Sequence, residues 1–551
     1  MIQLLAFSFP VIVGALSGLL PVHDTKLHRL VCTLIIIVTD LLGVMAMIRG
    51  QYIELFHFTD KAVIAFGIDD FGRFTLTAVL ILYTAVCFYA FTYMLHEERP
   101  QTFFAFYFIS LGAMMAVCMS ADLVSLYFSF ELATLSSVPL VLHEMTKDAV
   151  AAGLKYLFYS IAGALMGLLA VFYVYTCAAG EVTFRYGGFL DSNMIAGHEQ
   201  LLLAIVLAGI IGFGTKAGMY PMHGWLPTAH PIAPAPASAL LSGIIAKAGI
   251  MAVIRLVYYC VGPGLLRGTW VQTAWMCLAL LTILMGSTMA FREKVVKKRL
   301  AYSTISQISY IMFSLSLMTE DGLKGGLLQL ISHMSAKGCL FLAAGVFIFA
   351  LDAHRVEELK GIGRQLPVTM WCFMIASLSL VGIPPMGGFT SKWKIASAAL
   401  SGGPGVFAVL GPVVLLISAL LTAGYLFPVV INAFFPGIGS VEEIEAEPDE
   451  FSEEESNELS AKGSEIVSGK VPEEEPDEFS DDFSEEDYEE EPDEFREESS
   501  EEDFEEETED TIEEKEFAEP GVLMDGAMIV LCIAALLAGL FGAGIVGGLV
   551  L

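Results

Sequence analysis

Six side chains able to take up or release a proton sit deep inside apolar stretches of this 551-residue chain. They are Glu131 in LYFSFELATLSS, Lys216 in GFGTKAGMY, Lys247 in SGIIAKAGIMAV, His333 and Lys337 in ISHMSAKGCLFLAAG, and Lys392 in GIPPMGGFTSKWKIA. A single buried lysine can reach the surface along its own stem, and a single glutamate can bond a nearby hydroxyl. That plain reading suits Lys155, near the start of its apolar run, and Lys394, close after Lys392. Six near-central groups ask for more, because charges isolated in lipid are not tolerated repeatedly; they must face one another and water. An amine buried alone gives up its proton readily, whereas one facing an ionised carboxylate keeps it. Two unit charges about 8 Å apart at an effective dielectric of about 20 interact by about 2 kcal/mol. A modest helix shift beside Glu131 is therefore enough to load or unload Lys216. The chemistry on offer is stepwise proton transfer; sodium would need several oxygen ligands, and no such set is evident.

The elements that hold these groups are membrane-crossing helices. The chain is 55% hydrophobic and 17% charged, with a mean hydropathy of +0.66, where a soluble chain carries about a quarter charged residues. Apolar runs of about 20 residues cross a ~30 Å hydrocarbon core as helices. Fourteen such spans are expected, the first continuing to Leu20 with no basic leader or cleavage pattern. Glu131 lies nine and ten residues from the ends of the fifth span, 122–141, about 14 Å deep at ~1.5 Å per residue. Lys216 is comparably deep in the seventh span, 201–221, and Lys247 is central in the eighth, 235–259. His333 and Lys337, four apart in the eleventh span, share one helix face. Lys392 follows a Pro-Pro-Met-Gly-Gly break in the twelfth span, 367–399. Pro221, preceded by Gly212, Gly214 and Gly218, interrupts the seventh in the same way. Two broken helices, each with a lysine, suggest two related halves around a polar path.

The net charge of −33 comes from one place. Residues 441–520 hold 40 Asp and Glu against 4 Lys and Arg; the rest of the chain has 22 acids and 25 bases, or +3. This segment repeats EPDEFS at 447–452 and 475–480 and EPDEFR at 491–496. Its charge and low hydrophobicity predict a disordered insert over 436–521, with phenylalanines available for docking a partner. With the N-terminus outside, twelve basic residues fall in the short cytoplasmic loops and six in the opposite loops, five of the twelve from FREKVVKKR. That bias puts both termini outside and the insert in the cytoplasm of a cell inner membrane. Nine scattered cysteines form no C-x-x-C pair and read as small core residues. His223 and His230 flank a proline-containing loop with no nearby acid or cysteine, so no metal site is expected. The hydroxyls of RLAYSTISQISYI (299–311) serve equally well as water-chain members or as helix-packing contacts.

Taken together, KAGMYPMHGWLPTAHPIAPAPASALLSG, RLAYSTISQISYI, HMSAKGCLFLAAG and GIPPMGGFTSKW resemble a known family over roughly residues 100–435. It comprises the antiporter-like membrane subunits of respiratory complex I, of Mrp-type sodium/proton antiporters and of energy-converting membrane-bound hydrogenases. The resemblance implies an all-α polytopic protein with fourteen core helices and a central polar axis. It also implies two inverted five-helix repeats, about 102–259 and 270–435, with broken seventh and twelfth helices. The membrane domain would then occupy 1–435, with a last helix at 522–551. By motif, Glu131 matches the family's span-5 glutamate, Lys216 its span-7 lysine and Lys247 its span-8 bridging residue. His333 and Lys337 match the span-11 polar pair, and Lys392 the terminal group of span 12, where some members carry glutamate. The acidic insert is no feature of the family, and no long lateral helix follows the last span, which speaks against the largest complex I subunit type.

The function implied is proton or sodium translocation within a redox-driven complex such as an NADH:quinone oxidoreductase or a hydrogenase. The alternative is a subunit of an Mrp-type antiporter without redox coupling. A scaffold that has lost transport fits poorly, since the whole series of ionisable residues is present. The chain has no flavin, iron–sulfur, haem or nucleotide motif. Flavin, iron–sulfur or nickel–iron centres are thus expected only in partner subunits. Those partners would be other membrane subunits, homologous antiporter-like ones included, and no nucleic acid is expected.

Overall fold

The computed structural model describes residues 1–19, 25–59, 61–435 and 521–549. The expected disordered insert falls, over residues 436–520, outside the described residues. The main helices of the first half are α1 (Ile2–Leu19), α2 (Thr25–Arg49), α3 (Asp70–Tyr93), α4 (Pro100–Met119) and α5 (Leu123–Val141). They continue with α6 (Lys147–Thr176), α7 (Glu199–Lys216), α8 (Leu226–Ile232) and α9 (Ala235–Val261). The second half contributes α10 (Trp270–Arg292), α11 (Val296–Ser316), α12 (Glu320–Leu351), α13 (Pro367–Val381), α14 (Gly387–Gly402), α15 (Phe407–Phe434) and α16 (Val522–Gly547).

Twelve helices among the described residues are long and apolar enough to cross a membrane, so this is a multi-pass, all-α membrane protein. The two expected crossings outside that set are α11, diluted by serines and lysines, and the broken pair α13–α14. One antiparallel hairpin, β1 (Ile53–His57) and β2 (Val63–Phe66), was not anticipated from the helical pattern.

Helix faces sort by environment. On α6, Leu154, Phe158, Ile161, Leu165, Leu169 and Phe172 are exposed at helical spacing. An apolar stripe of that size belongs against lipid. Its opposite face is small, and Gly163 packs on Gly212 of α7 so closely that a Cβ on either would lie 2.5 Å from the other's carbonyl oxygen. Such glycine contacts let membrane helices approach in the absence of a hydrophobic driving force between them. Every residue of α9 is buried, which makes it the central column. The α9 column widens into π-helical turns at Leu241–Ile245 and Arg255–Val261. Polar caps start the outer turns: the Asp122 carboxylate accepts from Val124 and Ser125 N–H groups, both at 2.9 Å, ahead of α5.

Candidate functional site

The first break ends α7 on Lys216 itself, several residues before the expected end of that span. Gly218 then turns with φ +75°, where a Cβ would come within 2.2 Å of Leu226 Cδ1. The carbonyls freed by the break are met by protein: Thr215 O accepts from Trp225 Nε1 at 2.9 Å, and Gly214 O from Met219 N at 2.9 Å. Only 1% exposed, Lys216 donates to the Thr134 hydroxyl of α5. Its Nζ also stands 4.9 Å from the Phe130 ring centroid and 5.8 Å from that of Tyr156. Thr134 lies three residues beyond Glu131, so the amine and the carboxylate share one side of α5. Glu131 is half-buried, its Oε1 has no hydrogen-bond partner, and the two charges act on each other without an ion pair within 4.0 Å.

The centre is built on α12. Gln329, His333 and Lys337 are spaced i, i+4, i+8 and form one buried polar stripe. Lys337 Nζ donates to Leu300 O of α11 at 2.9 Å. That same carbonyl accepts from Thr304 Oγ1 at 2.9 Å, and Thr304 bonds the Ser242 hydroxyl of α9 at 2.7 Å. Lys247 in turn donates to the Ser242 carbonyl in the widened π turn. One threonine and one serine therefore join the two amines. At the other end of the stripe, Gln329 Nε2 donates to Gln307 Oε1 at 3.0 Å, and its own Oε1 accepts from Ser391 Oγ at 2.5 Å. His333 is fully buried, with both ring nitrogens lacking a hydrogen-bond partner, in the neighbourhood of Lys247, Lys337 and Lys392.

Lys392 belongs to α14, beyond the second break. Its amine reaches back to the carbonyls that end α13, Leu380 O at 2.5 Å and Val381 O at 3.0 Å, and lies 5.0 Å from the Tyr310 ring centroid. A cation on a helix C-terminus is favoured by the aligned peptide dipoles. Gly382, with φ +93°, makes the turn.

All six sequence-derived residues thus line one interior. Four hydrogen bonds join Lys247 to Lys337, and a separate set joins Gln329 to Ser391, the sequence neighbour of Lys392; His333 stands between the two sets without a hydrogen bond. Lys216 approaches Lys247 by packing alone: Gly249 lies against the α7 backbone, where a Cβ would be 3.3 Å from Lys216 Cβ, and no side-chain hydrogen bond among the described residues joins the two lysines.

The structure adds members that the sequence reading left out. His230 is fully buried with both ring nitrogens unpartnered, is stacked 4.6 Å from Phe341, and lies among the charges of Lys337, Lys297 and Lys247. Lys297, counted as a loop base, sits in the first turn of α11 and donates to Ala233 O at 3.0 Å and Pro231 O at 3.3 Å, just beyond His230 in sequence. Its spacing to Leu300 and Thr304 on the buried face of α11 would have revealed it; His230 had no such signal. Arg255, a charge inside the expected eighth span, pairs with Asp69 through two bonds of 2.5 and 2.6 Å between the rings of Phe71, Phe184 and Tyr259. Asp40 of α2, accepting from Thr84 at 2.8 Å, is another intramembrane charge passed over.

Among the polar residues of 299–311, Thr304 bonds Ser242 and Gln307 accepts from Gln329, while Ser306 and Tyr310 bind α10 and α15. Lys155 bonds Thr228, and Lys394 pairs with Asp321 at 2.6 Å in partly exposed positions, as their plain reading expected. Among the described residues no group of three or more His, Cys, Asp or Glu is placed to hold a metal ion.

A multi-pass helical body with amines, imidazoles and one acid filed through its core defines an ion-translocating membrane subunit. Residues 120–418 match the family described as NADH:quinone oxidoreductase/Mrp antiporter, TM, and the chain belongs to it. It is 33% identical over 374 residues to NADH-quinone oxidoreductase subunit N of Desulforudis audaxviator (strain MP104C), covering 67% of this chain and 73% of that one. It is 26% identical over 434 residues to a Na(+)/H(+) antiporter subunit of Bacillus subtilis (strain 168), covering 77% and 86%. A chain in the structure of the Mrp complex from Dietzia sp. DQ12-45-1b shares the fold, with a TM-score of 0.72, 20% identity and coverage of 99% and 97%.

Proposed function

We propose that this antiporter-like subunit carries protons, using Glu131, Lys216, Lys247, His333, Lys337 and Lys392 as successive stations. The observation that carries the proposal is the set of contacts from Lys247 through Ser242, Thr304 and Leu300 O to Lys337, on the same buried face of α12 as His333 and as Gln329, which bonds Ser391. The two hydroxyls of that bridge both donate and accept, whereas the Ser242 and Leu300 carbonyls only accept, so a proton crosses the bridge with water standing in at those two points. Two amines on one bridge repel when both are charged, so loading one discharges the other. Water satisfying the orphan nitrogens of His333 and His230 completes the route.

At the first break, Glu131 sets the charge of Lys216: approach of the carboxylate loads the amine, and its withdrawal or protonation sends the proton toward Lys247. The two breaks, each turning on a positive-φ glycine next to a lysine, support fourteen crossings in two inverted repeats (about 102–259 and 270–435). The loop bases support outward termini and a cytoplasmic acidic segment in a cell inner membrane.

The host is a redox-driven complex, with any flavin, iron–sulfur or nickel–iron centre in partner subunits and homologous antiporter-like subunits alongside. The higher identity to a quinone oxidoreductase subunit supports this. The alternative, an Mrp-type antiporter without redox coupling, draws on the longer coverage of the Bacillus protein and of the Dietzia structure. In vesicles containing the assembled complex, Lys216→Ala and Glu131→Ala should each abolish pumping while subunit composition stays intact. Normal pumping by either variant would refute the assignment. Imposed pH and sodium gradients compared on the same vesicles identify the ion.

A further inference from the structure

The nine cysteines scattered in sequence do not stay scattered in space. Cys339 of α12 and Cys532 of α16 place their sulfurs 3.5 Å apart, and both thiols point at the same acceptor, Cys372 O of α13, at 3.5 Å each. Cys339 is fully buried and Cys532 is 6% exposed. The neighbouring residues are packed tightly as well: a Cβ on Gly338 would sit 3.0 Å from the tip of the Leu531 side chain. A disulfide needs sulfurs about 2.05 Å apart on closely approaching backbones, so about 1.5 Å of side-chain travel closes the gap. The thiol of Cys372 also lies against both, so three of the described cysteines meet at this point.

We propose that Cys339 and Cys532 form a reversible disulfide that ties the last helix to α12, and that the oxidant is an apolar hydroperoxide arriving from the bilayer. The sulfur of one cysteine attacks the outer peroxide oxygen. The O–O bond breaks, the alcohol leaves with a proton, and a sulfenic acid forms. The second sulfur then displaces the hydroxyl, which leaves as water with the second thiol's proton as the S–S bond forms. Two thiols lose two electrons in total, and the peroxide gains them. The bond pins α16 to the helix that carries His333 and Lys337, two residues from the latter. In the plain alternative, the thiols are merely small donors to a shared carbonyl and never join.

The test uses the full chain in membrane vesicles, with a protease recognition sequence inserted within residues 441–520, between the two cysteines. Vesicles are treated with cumene hydroperoxide, capped with N-ethylmaleimide, cut to completion and run on a denaturing, non-reducing gel. The fragments should stay joined, separate on adding dithiothreitol, run apart in Cys339→Ser and Cys532→Ser, and stay joined in Cys372→Ser. Separation of the wild-type fragments after oxidation would overturn the proposal, as would a link that survives Cys339→Ser.

Discussion

The two broken helices look alike in sequence, glycines and a proline next to a lysine, yet they hold their lysines in opposite ways. Lys216 ends the first half of its helix and reaches sideways to a threonine hydroxyl, two aromatic rings and the vicinity of a carboxylate. Lys392 starts from the second half of its helix and reaches back onto two backbone carbonyls, with no carboxylate in ion-pair distance among the described residues. At the first break the carbonyls are served by Trp225 and backbone amides, which leaves the amine to interact with Glu131. At the second break the amine is itself the cap. The first lysine is therefore the adjustable one. The second is anchored by dipoles that do not titrate, as suits a terminal station.

That contrast breaks most sharply if the lysines are replaced by methionine. Lys216→Met and Lys392→Met should both stop transport, but their stabilities should diverge. Methionine at 216 removes a buried cation and fills a space between aromatic rings, so the thermal midpoint of the purified complex should hold or rise. Methionine at 392 leaves carbonyls of α13 without their donor, a loss of about 1–3 kcal/mol. Equal midpoints would erase the distinction.

Smaller effects should come from the turning glycines. Both positions demand positive φ, +75° and +93°, but an alanine at 218 would also meet Leu226 Cδ1 at 2.2 Å, whereas at 382 its nearest neighbour is the flexible Lys392 Cδ at 3.1 Å. Gly218→Ala should therefore destabilise by more than the ~1 kcal/mol expected for Gly382→Ala; thermal unfolding of the pair decides, and the reverse order would count against the packing described. The smallest effect is expected of Trp225→Phe. Losing one hydrogen bond to Thr215 O costs about 1 kcal/mol and should slow transport only mildly, read as the initial pumping rate, with Lys392 unaffected.

How much of this was legible beforehand follows from what spacing can and cannot say. Depth within an apolar run and local motif located Glu131, Lys216, Lys247, His333, Lys337 and Lys392. Helical periodicity also put His333 and Lys337 on one face. Periodicity says nothing about which faces of two helices meet, so the Thr304–Ser242 bridge and the contact of Cys339 with Cys532 were invisible. Lys297 was lost for another reason: it stands in the basic run FREKVVKKR, which reads as a loop, yet the fold buries it against carbonyls. Arg255 and Asp40 were within reach, since charges inside expected spans fall under the argument already applied to the six. The hairpin at 53–66 escaped because strands of four and five residues carry little pattern.

The most direct test of the central claim is Lys337→Arg. Arginine keeps the positive charge and can still donate to Leu300 O, but it releases no proton at any working pH. If protons step through this amine, vesicles of the assembled variant should show pumping at background. Pumping at the wild-type rate would mean that no proton passes through Lys337, and the chain described here would not be the path.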